Sequence, residues 1–151
     1  MVGWRRFGRD RYPPPGDWVQ ATTVQVVAGT QYRRRNAWRY CEAVESAESR
    51  ELFYGVTPVP EPTNRHDPHA IAIFGHCEVK PLFRKPRHRA WHVGYMPREL
   101  AAEMHAEFLS VNIPIAAELY EIFIQGNYLE IKFIVLAPPG HSLSSRKRRR
   151  N

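Results

Sequence analysis

The sequence lacks most features of a secreted scaffold or a membrane protein. Only two residues, Cys41 and Cys77, are cysteine, which is too few for a disulfide framework. No apolar run reaches the ~18 residues that cross a bilayer, and the N-terminal residues lack the apolar core of a secretion signal. We therefore expect a soluble intracellular protein with free thiols and no membrane partner.

Motifs of catalysis and metal binding are also missing. There is no C-x2-C pair, no Walker loop and no nucleophile elbow. Six histidines and Cys77 fall within residues 66–105, but their spacing matches no metal-ligand pattern. We expect no metal, no cofactor and no catalysis by this chain. The least favoured alternative is a metal-dependent nuclease or hydrolase that uses Asp67 with His66 or His69.

What the sequence does have is segregated positive charge. The net charge is +7, yet residues 21–136 contain 13 basic and 13 acidic residues, so the excess lies in the terminal segments. Within the neutral part, basic residues cluster at 33–39 and 80–89, and acidic residues at 42–51 and 99–107. Two cationic clusters on a neutral body are typical of a surface that binds a polyanion. Solvated basic loops are the alternative.

Composition divides the chain into one domain and two tails. Residues 1–17 are rich in Arg, Pro and Gly, residues 138–151 are strongly basic, and both segments are expected to be disordered. The domain is expected at 18–137. In a eukaryote the C-terminal basic run would act as an import signal and make the protein nuclear. In a bacterium it would be a phosphate-binding tail of a cytoplasmic, nucleoid-associated protein.

Alternation of apolar and polar residues predicts five or six short strands. The last two form a hairpin around Gly126-Asn127. Pro58 and Pro60 confine the end of one strand to a sheet edge. The expected strands are 18–28, 52–59, 70–74, 91–96, 113–125 and 128–136.

Two helices are expected among these strands. Proline suits a first helical turn, so one helix opens at Pro97 and buries Leu100, Met104 and Phe108. A shorter helix is expected at 37–47, after a basic loop at 30–36, and residues 75–90 are expected to form a long basic loop. The predicted fold class is therefore mainly β with two short helices, in a small, OB-like, partly open barrel.

Two polar segments are expected to form one pocket. Residues 61–74, Glu-Pro-Thr-Asn-Arg-His-Asp-Pro-His-Ala-Ile-Ala-Ile-Phe, are a polar turn that enters a buried strand. Residues 93–102, Val-Gly-Tyr-Met-Pro-Arg-Glu-Leu-Ala-Ala, are a strand that ends where a helix begins. Together they predict that four side chains converge: Asn64, Asp67, Tyr95 and Arg98.

The carboxylate of Asp67 gives this pocket a chemical preference. An ionised carboxylate accepts a hydrogen bond from a ligand hydroxyl and repels a phosphate. If nucleic acid binds here, Asp67 therefore favours a free terminal hydroxyl over a continuing strand. The alternative for both Asn64 and Asp67 is ordinary turn chemistry, in which their side chains only hold the loop.

Aromatic and basic residues complete the candidate nucleic-acid site. Tyr32 beside Arg33 and Arg34 suits base stacking with phosphate neutralisation, although it also suits a Tyr that caps a barrel end with its hydroxyl in water. His66 and Tyr95 supply further flat surfaces. Two groups of cations are candidates for phosphate contacts. One is Arg98 with the helix N–H groups near it, and the other is Arg84, Lys85 and Arg87 in the second cluster. The alternative is that they are plain surface residues.

The chain resembles the HIRAN domain family. The matching pieces are Val27-Ala-Gly29 with Tyr32, Glu-Pro-Thr-Asn-Arg-His-Asp-Pro-His-Ala-Ile at 61–71, and Val-Gly-Tyr-Met-Pro-Arg-Glu-Leu-Ala at 93–101. Such domains occur at the N-terminus of some SWI2/SNF2-type helicase-like translocases and as stand-alone proteins. The resemblance implies a modified oligonucleotide-binding barrel that grips the 3′-hydroxyl end of single-stranded DNA.

Carried onto this sequence, the resemblance assigns individual roles. Tyr32 would stack on a base, Asp67 would accept from the 3′-hydroxyl with Asn64 beside it, and Arg98 would neutralise a phosphate. His66 and Tyr95 stand where characterised members have tyrosine and histidine. The implied partners are single-stranded DNA or DNA ends and a helicase, translocase or repair protein that would hold any ATPase activity. The alternative is a protein–protein docking module in a repair or phage assembly.

Overall fold

The structure is a computed structural model that describes residues 2–6 and 14–150. Residues 7–13 of the expected leader therefore lie outside the described part. The described part of the chain is mainly β, as the sequence predicts, and contains three α-helices. Its described strands form two antiparallel sheets and no closed barrel. None of the helices described is both long and apolar enough to cross a membrane.

The larger sheet contains five strands and is centred on the predicted C-terminal hairpin. Its strands are β1 (Val2–Arg6), β2 (Val19–Gln20), β3 (Gln25–Val26), β7 (Ala116–Gln125) and β8 (Tyr128–Ala137). Their order in the sheet is β1-β7-β8-β2, and β3 also pairs with β8. The expected single strand at 18–28 is divided because the Thr22 hydroxyl accepts a hydrogen bond from the Val135 N–H and interrupts the ladder.

The first strand corrects the expectation of a disordered leader. Its five residues pair antiparallel with β7, from Val2 opposite Gln125 to Arg6 opposite Glu121. Without this strand, β7 would present an unpaired row of backbone N–H and C=O groups. Pairing along that edge, rather than any apolar pattern in the leader, therefore orders these residues.

The smaller sheet contains β4 (Tyr54–Pro60), β5 (Ile71–Val79) and β6 (Arg87–Tyr95) in that order. β4 lies at an edge, which confirms the inference from its prolines. The prediction of a long loop at 75–90 was wrong, because β5 and β6 extend through most of it and leave 80–86 as the connection.

Helix α1 (Arg34–Ser49) covers the smaller sheet. Its Tyr40 is fully buried, donates a 2.6 Å hydrogen bond to the Gly55 carbonyl, and lies over Gly75. A Cβ at Gly75 would stand 2.6 Å from the Tyr40 ring, so the glycine makes room for the helix. The helix begins three residues earlier than expected, directly after a 3-10 turn at Thr30–Tyr32, so the predicted basic loop is short.

Helix α2 (Arg98–Glu107) begins directly after Pro97. Leu100, Met104 and Phe108 are buried, which confirms the predicted apolar stripe. The helix therefore stands with one face in the core and its first turn at the end of β6.

The basic tail also differs from the expectation, because residues 143–150 form helix α3 (Leu143–Arg150). Arg146 is only 5% exposed and contacts the Ala21 carbonyl and the carboxylates of Glu103 and Glu107. Arg150 pairs with the same two carboxylates. The acidic face of α2 thus captures a helix that composition alone marks as a loose tail.

Both cysteines are buried in the core and neither forms a disulfide within the described residues. Burial, and secondarily the charge of Glu78, raises the pKa of Cys77 to about 11. The thiol is therefore protonated and unreactive near neutral pH.

Candidate nucleic-acid interface

A close approach of two backbone segments creates the candidate site. Ala28 and Tyr95 exchange two backbone hydrogen bonds of 2.8 Å, next to a bulge in β6 where Ile73 pairs with Gly94 and Phe74 with His92. A Cβ at Gly94 would lie 2.4 Å from the Ala28 carbonyl oxygen, so glycine is required there. The bridge places Tyr95 beside the segment that leads into the Tyr32 turn.

Asn64 holds the polar loop between β4 and β5. Its side-chain oxygen accepts hydrogen bonds from the N–H groups of His66, at 2.9 Å, and Asp67, at 3.1 Å. Its side-chain nitrogen donates to Oε1 of Glu61 at 3.0 Å. The Asn64 side chain thus holds the loop, which was the alternative to a direct ligand contact. Its part in the site is to position Asp67.

Asp67 divides its two carboxylate oxygens between the loop and the surface. Oδ1 accepts a 2.9 Å hydrogen bond from the His69 N–H, which fixes the side chain. Oδ2 lies 3.8 Å from Nε of Arg98, in the first turn of α2. The Asp67 side chain is 21% exposed and that of Arg98 is 83% exposed. An ion pair this long and exposed is weak, about 0–1 kcal/mol, so both groups are available to a ligand.

Glu61 is a site residue to which the sequence analysis assigns no role. Its Oε1 accepts hydrogen bonds from both Asn64 and the Tyr95 hydroxyl, the latter at 2.9 Å. Burial and then this bond to Glu61 raise the pKa of Tyr95. Glu61 opens the polar segment 61–74, and its position three residues before Asn64 was the sequence signal that could have indicated this contact.

His92 is a second missed residue. Its ring stacks on Phe74, with centroids 4.9 Å apart, and meets the Tyr95 ring edge-on at the same distance. Burial, followed by the positive charge of Arg33, lowers the pKa of His92. His92 therefore adds a flat neutral surface behind Tyr95. The strand expected at 91–96 already contained His92, but only the fold shows that its ring lies against Tyr95.

The neighbouring residues Arg33 and Arg34 lie at two different places on the surface. Arg33 belongs to the site, since its charge lowers the pKa of His92 and counteracts the rise at Tyr95. Arg34 instead donates a 3.2 Å hydrogen bond to the Asn127 carbonyl in the β7–β8 turn. Tyr32 is 84% exposed, which leaves its ring open for stacking.

The polar loop docks on α2 at two points. Besides Asp67 near Arg98, the His69 ring stacks on His105 with centroids 4.2 Å apart and planes inclined by 21°. Arg98 and His105 are seven residues apart, so they share one face of the helix. His66, one residue before Asp67, is exposed in the loop.

The remaining predicted cations lie elsewhere. Arg84 and Lys85 occupy the β5–β6 connection and Arg87 begins β6 opposite Val79. Tyr95 pairs with Ala72, seven residues from Val79 along β5, which corresponds to about 23 Å at ~3.3 Å per residue. The predicted site residues therefore form an end pocket around Asp67 and a separate cationic hairpin tip, and Arg34 lies apart from both at the β7–β8 turn.

Residues 2–6 and 14–150 contain no group of three His, Cys, Asp or Glu side chains arranged to hold a metal ion. The end pocket instead offers one carboxylate oxygen, an exposed guanidinium and several aromatic faces, a set suited to a strand terminus with a hydroxyl, a phosphate and a base. No protein-family model, curated protein or solved structure matches this chain.

Proposed function

We propose that this chain is a non-catalytic module that binds single-stranded DNA by its 3′-hydroxyl end, in DNA repair, replication or a mobile-element context. The observation that carries this proposal is the state of Asp67. One of its oxygens is held by the His69 N–H, and the other faces the exposed Arg98. A fixed carboxylate beside an open cation distinguishes a terminal hydroxyl from a phosphate.

Each part of a strand terminus has a complementary group in this arrangement. Oδ2 of Asp67 accepts the hydroxyl proton, and Arg98 meets the preceding phosphate together with the N–H groups of the α2 first turn. Those N–H groups have no side-chain cap. The exposed Tyr32 ring takes a base, with Tyr95 and His92 as the nearby aromatic wall.

Oligonucleotide binding with matched 3′ ends tests the proposal. The wild-type chain is expected to bind a short single strand with a 3′-hydroxyl more tightly than the same strand with a 3′-phosphate. Asp67→Asn keeps an oxygen for the His69 N–H but removes the charge, so it should bind both strands with similar affinity. Asp67→Ala should also lose the loop bond and bind both weakly. Equal binding of both ends by the wild type would exclude end recognition.

A protein–protein docking module is the second candidate, and the exposed Phe53 favours it. This side chain is 58% exposed and follows an acidic segment, Glu45–Glu51, that covers the last turn of α1 and the residues just after it. Such a combination fits a partner with an apolar pocket rimmed by cations. Capture of a repair or helicase protein that survives nuclease treatment and is lost in Phe53→Ser would support this candidate over DNA binding.

A further inference from the structure

The tip of the β5–β6 hairpin exposes two apolar side chains. Leu82 is 85% exposed, and Phe83 is fully exposed. Phe83 also has φ 61°, in the left-handed region that favours glycine over a bulky residue. The connection is closed by a 3.3 Å hydrogen bond from the Arg84 N–H to the Pro81 carbonyl. Folding alone gives no reason for a phenylalanine at this position.

Cations extend from this tip along the hairpin. Arg84 and Lys85 follow Phe83 directly, and a groove of about 500 Å³ continues between α1 and the hairpin towards Trp91. The Arg89 guanidinium lies 5.1 Å from the centre of the Trp91 ring. Glu42 and Glu78 are the acidic residues in the groove lining, against five basic ones: Arg39, Arg50, Lys80, Arg87 and Arg89.

We propose that this hairpin is a wedge that opens base-paired DNA next to a strand end. Leu82 and Phe83 insert against the terminal base pair and unstack it, as apolar side chains do when they enter a duplex step. The groove cations hold the phosphates of the displaced or continuing strand. The inference extends the proposed function, because the freed strand can run about 23 Å along β5 to the pocket at Asp67.

The position of the cations favours DNA over an anionic membrane. A flat bilayer would contact the tip residues Leu82–Lys85, whereas the exposed cations of the groove line both of its sides, on α1 and on the hairpin. Arg39 lies on α1, and Arg89 lies two residues into β6 beside the buried Trp91. A polyanionic chain can follow this path from the tip to the groove, so the charge pattern matches a nucleic-acid backbone.

A fluorescent adenine analogue in the last base pair of a duplex with a single-stranded 3′ overhang tests the wedge. The wild-type chain is expected to raise the fluorescence of the analogue, because unstacking removes its quenching. Leu82→Ser/Phe83→Ser should abolish the rise and weaken binding to this junction about fivefold or more. Phe83→Gly, which suits the backbone at this position, should lose most of the rise. Val111→Ser is the control, since Val111 is also an exposed apolar residue.

Two further measurements separate this proposal from the proposed function and from membrane binding. The tip variants should bind a fully single-stranded 3′-hydroxyl oligonucleotide like the wild type, whereas Asp67→Asn should change end preference and keep the fluorescence rise. Loss of end preference alone therefore leaves the wedge standing. The wedge is overturned if the wild type gives no rise, or if the tip variants keep it. It is also overturned if the tip residues are needed only for binding to phosphatidylserine vesicles.

Discussion

The Tyr95 hydroxyl and Glu61 form a 2.9 Å hydrogen bond that joins the end of β6 to the polar loop. The same carboxylate oxygen receives the amide of Asn64, which in turn holds the N–H of Asp67. The order of the Asp67 loop therefore depends on a strand that lies about thirty residues later in the chain.

Replacing Tyr95 with phenylalanine should loosen this connection while keeping the aromatic ring. We expect Tyr95→Phe to lower the free energy of unfolding by about 0.5–1 kcal/mol, because one partly exposed hydrogen bond is lost. The free energy of binding a 3′-hydroxyl strand should weaken by a similar amount. Urea denaturation and fluorescence titration measure the two effects. Tyr128→Phe is the control, since Tyr128 bonds only within its own strand, to Glu130.

Salt dependence should identify Arg98 as a phosphate contact. In Arg98→Gln, the slope of log affinity against log salt should fall by about 0.7 for a single strand, which corresponds to one released counterion. Arg65→Gln removes an exposed cation from the polar loop between β4 and β5 and should leave the slope nearly unchanged. Equal changes in the two variants would mean that Arg98 contributes only general positive charge.

Arg146 should be the residue that holds α3 on the domain. In Arg146→Met, the carboxylates of Glu103 and Glu107 lose their buried partner. We expect the free energy of unfolding to fall by about 2–3 kcal/mol, which is less than for a fully buried ion pair because both acids are partly exposed. Trypsin should then cleave within residues 147–150 faster than in the wild type. Lys147→Met, on the exposed side of the helix, should change neither stability nor the cleavage rate at its neighbours.

Mildly acidic solution should destabilise the fold through His76. Burial, and then the neighbouring charge of His88, lowers the pKa of His76, and Nδ1 of its ring is buried without a partner. The unfolded chain takes up this proton near pH ~6.5, before the folded chain does. Stability should therefore fall as the pH drops through ~6.5 towards the lower folded pKa.

A matched pair of histidine variants checks the origin of this pH dependence. His76→Gln should flatten the decline of thermal stability between pH ~7.5 and ~5.5, whereas His66→Gln, in the exposed loop, should retain it. His92 is shifted in the same direction and will leave a residual slope. A His76 variant with the full wild-type decline would contradict the assignment.

Local pattern was sufficient where a segment buries one face along its own length. The stripe of Leu100, Met104 and Phe108, the turn at Gly126-Asn127 and the edge position of β4 follow from periodicity, turn chemistry and proline. The prediction of a loop at 75–90 was wrong because the many cations there mask the alternating pattern of a strand. These strands are specified instead by their pairing with each other and by the packing of α1 over Gly75.

Local sequence was enough to predict a mainly β chain, the helix after Pro97 and the candidate residues in the two polar segments, because near-neighbour sterics and alternating polarity specify these features. The folded chain was needed to show that Glu61 bridges Tyr95 to Asn64, that the carboxylates of α2 capture Arg146, and that Arg87 begins its strand about 23 Å along β5 from the level of Tyr95. Contacts between residues distant in the chain depend on sheet register and helix packing, which no local pattern specifies.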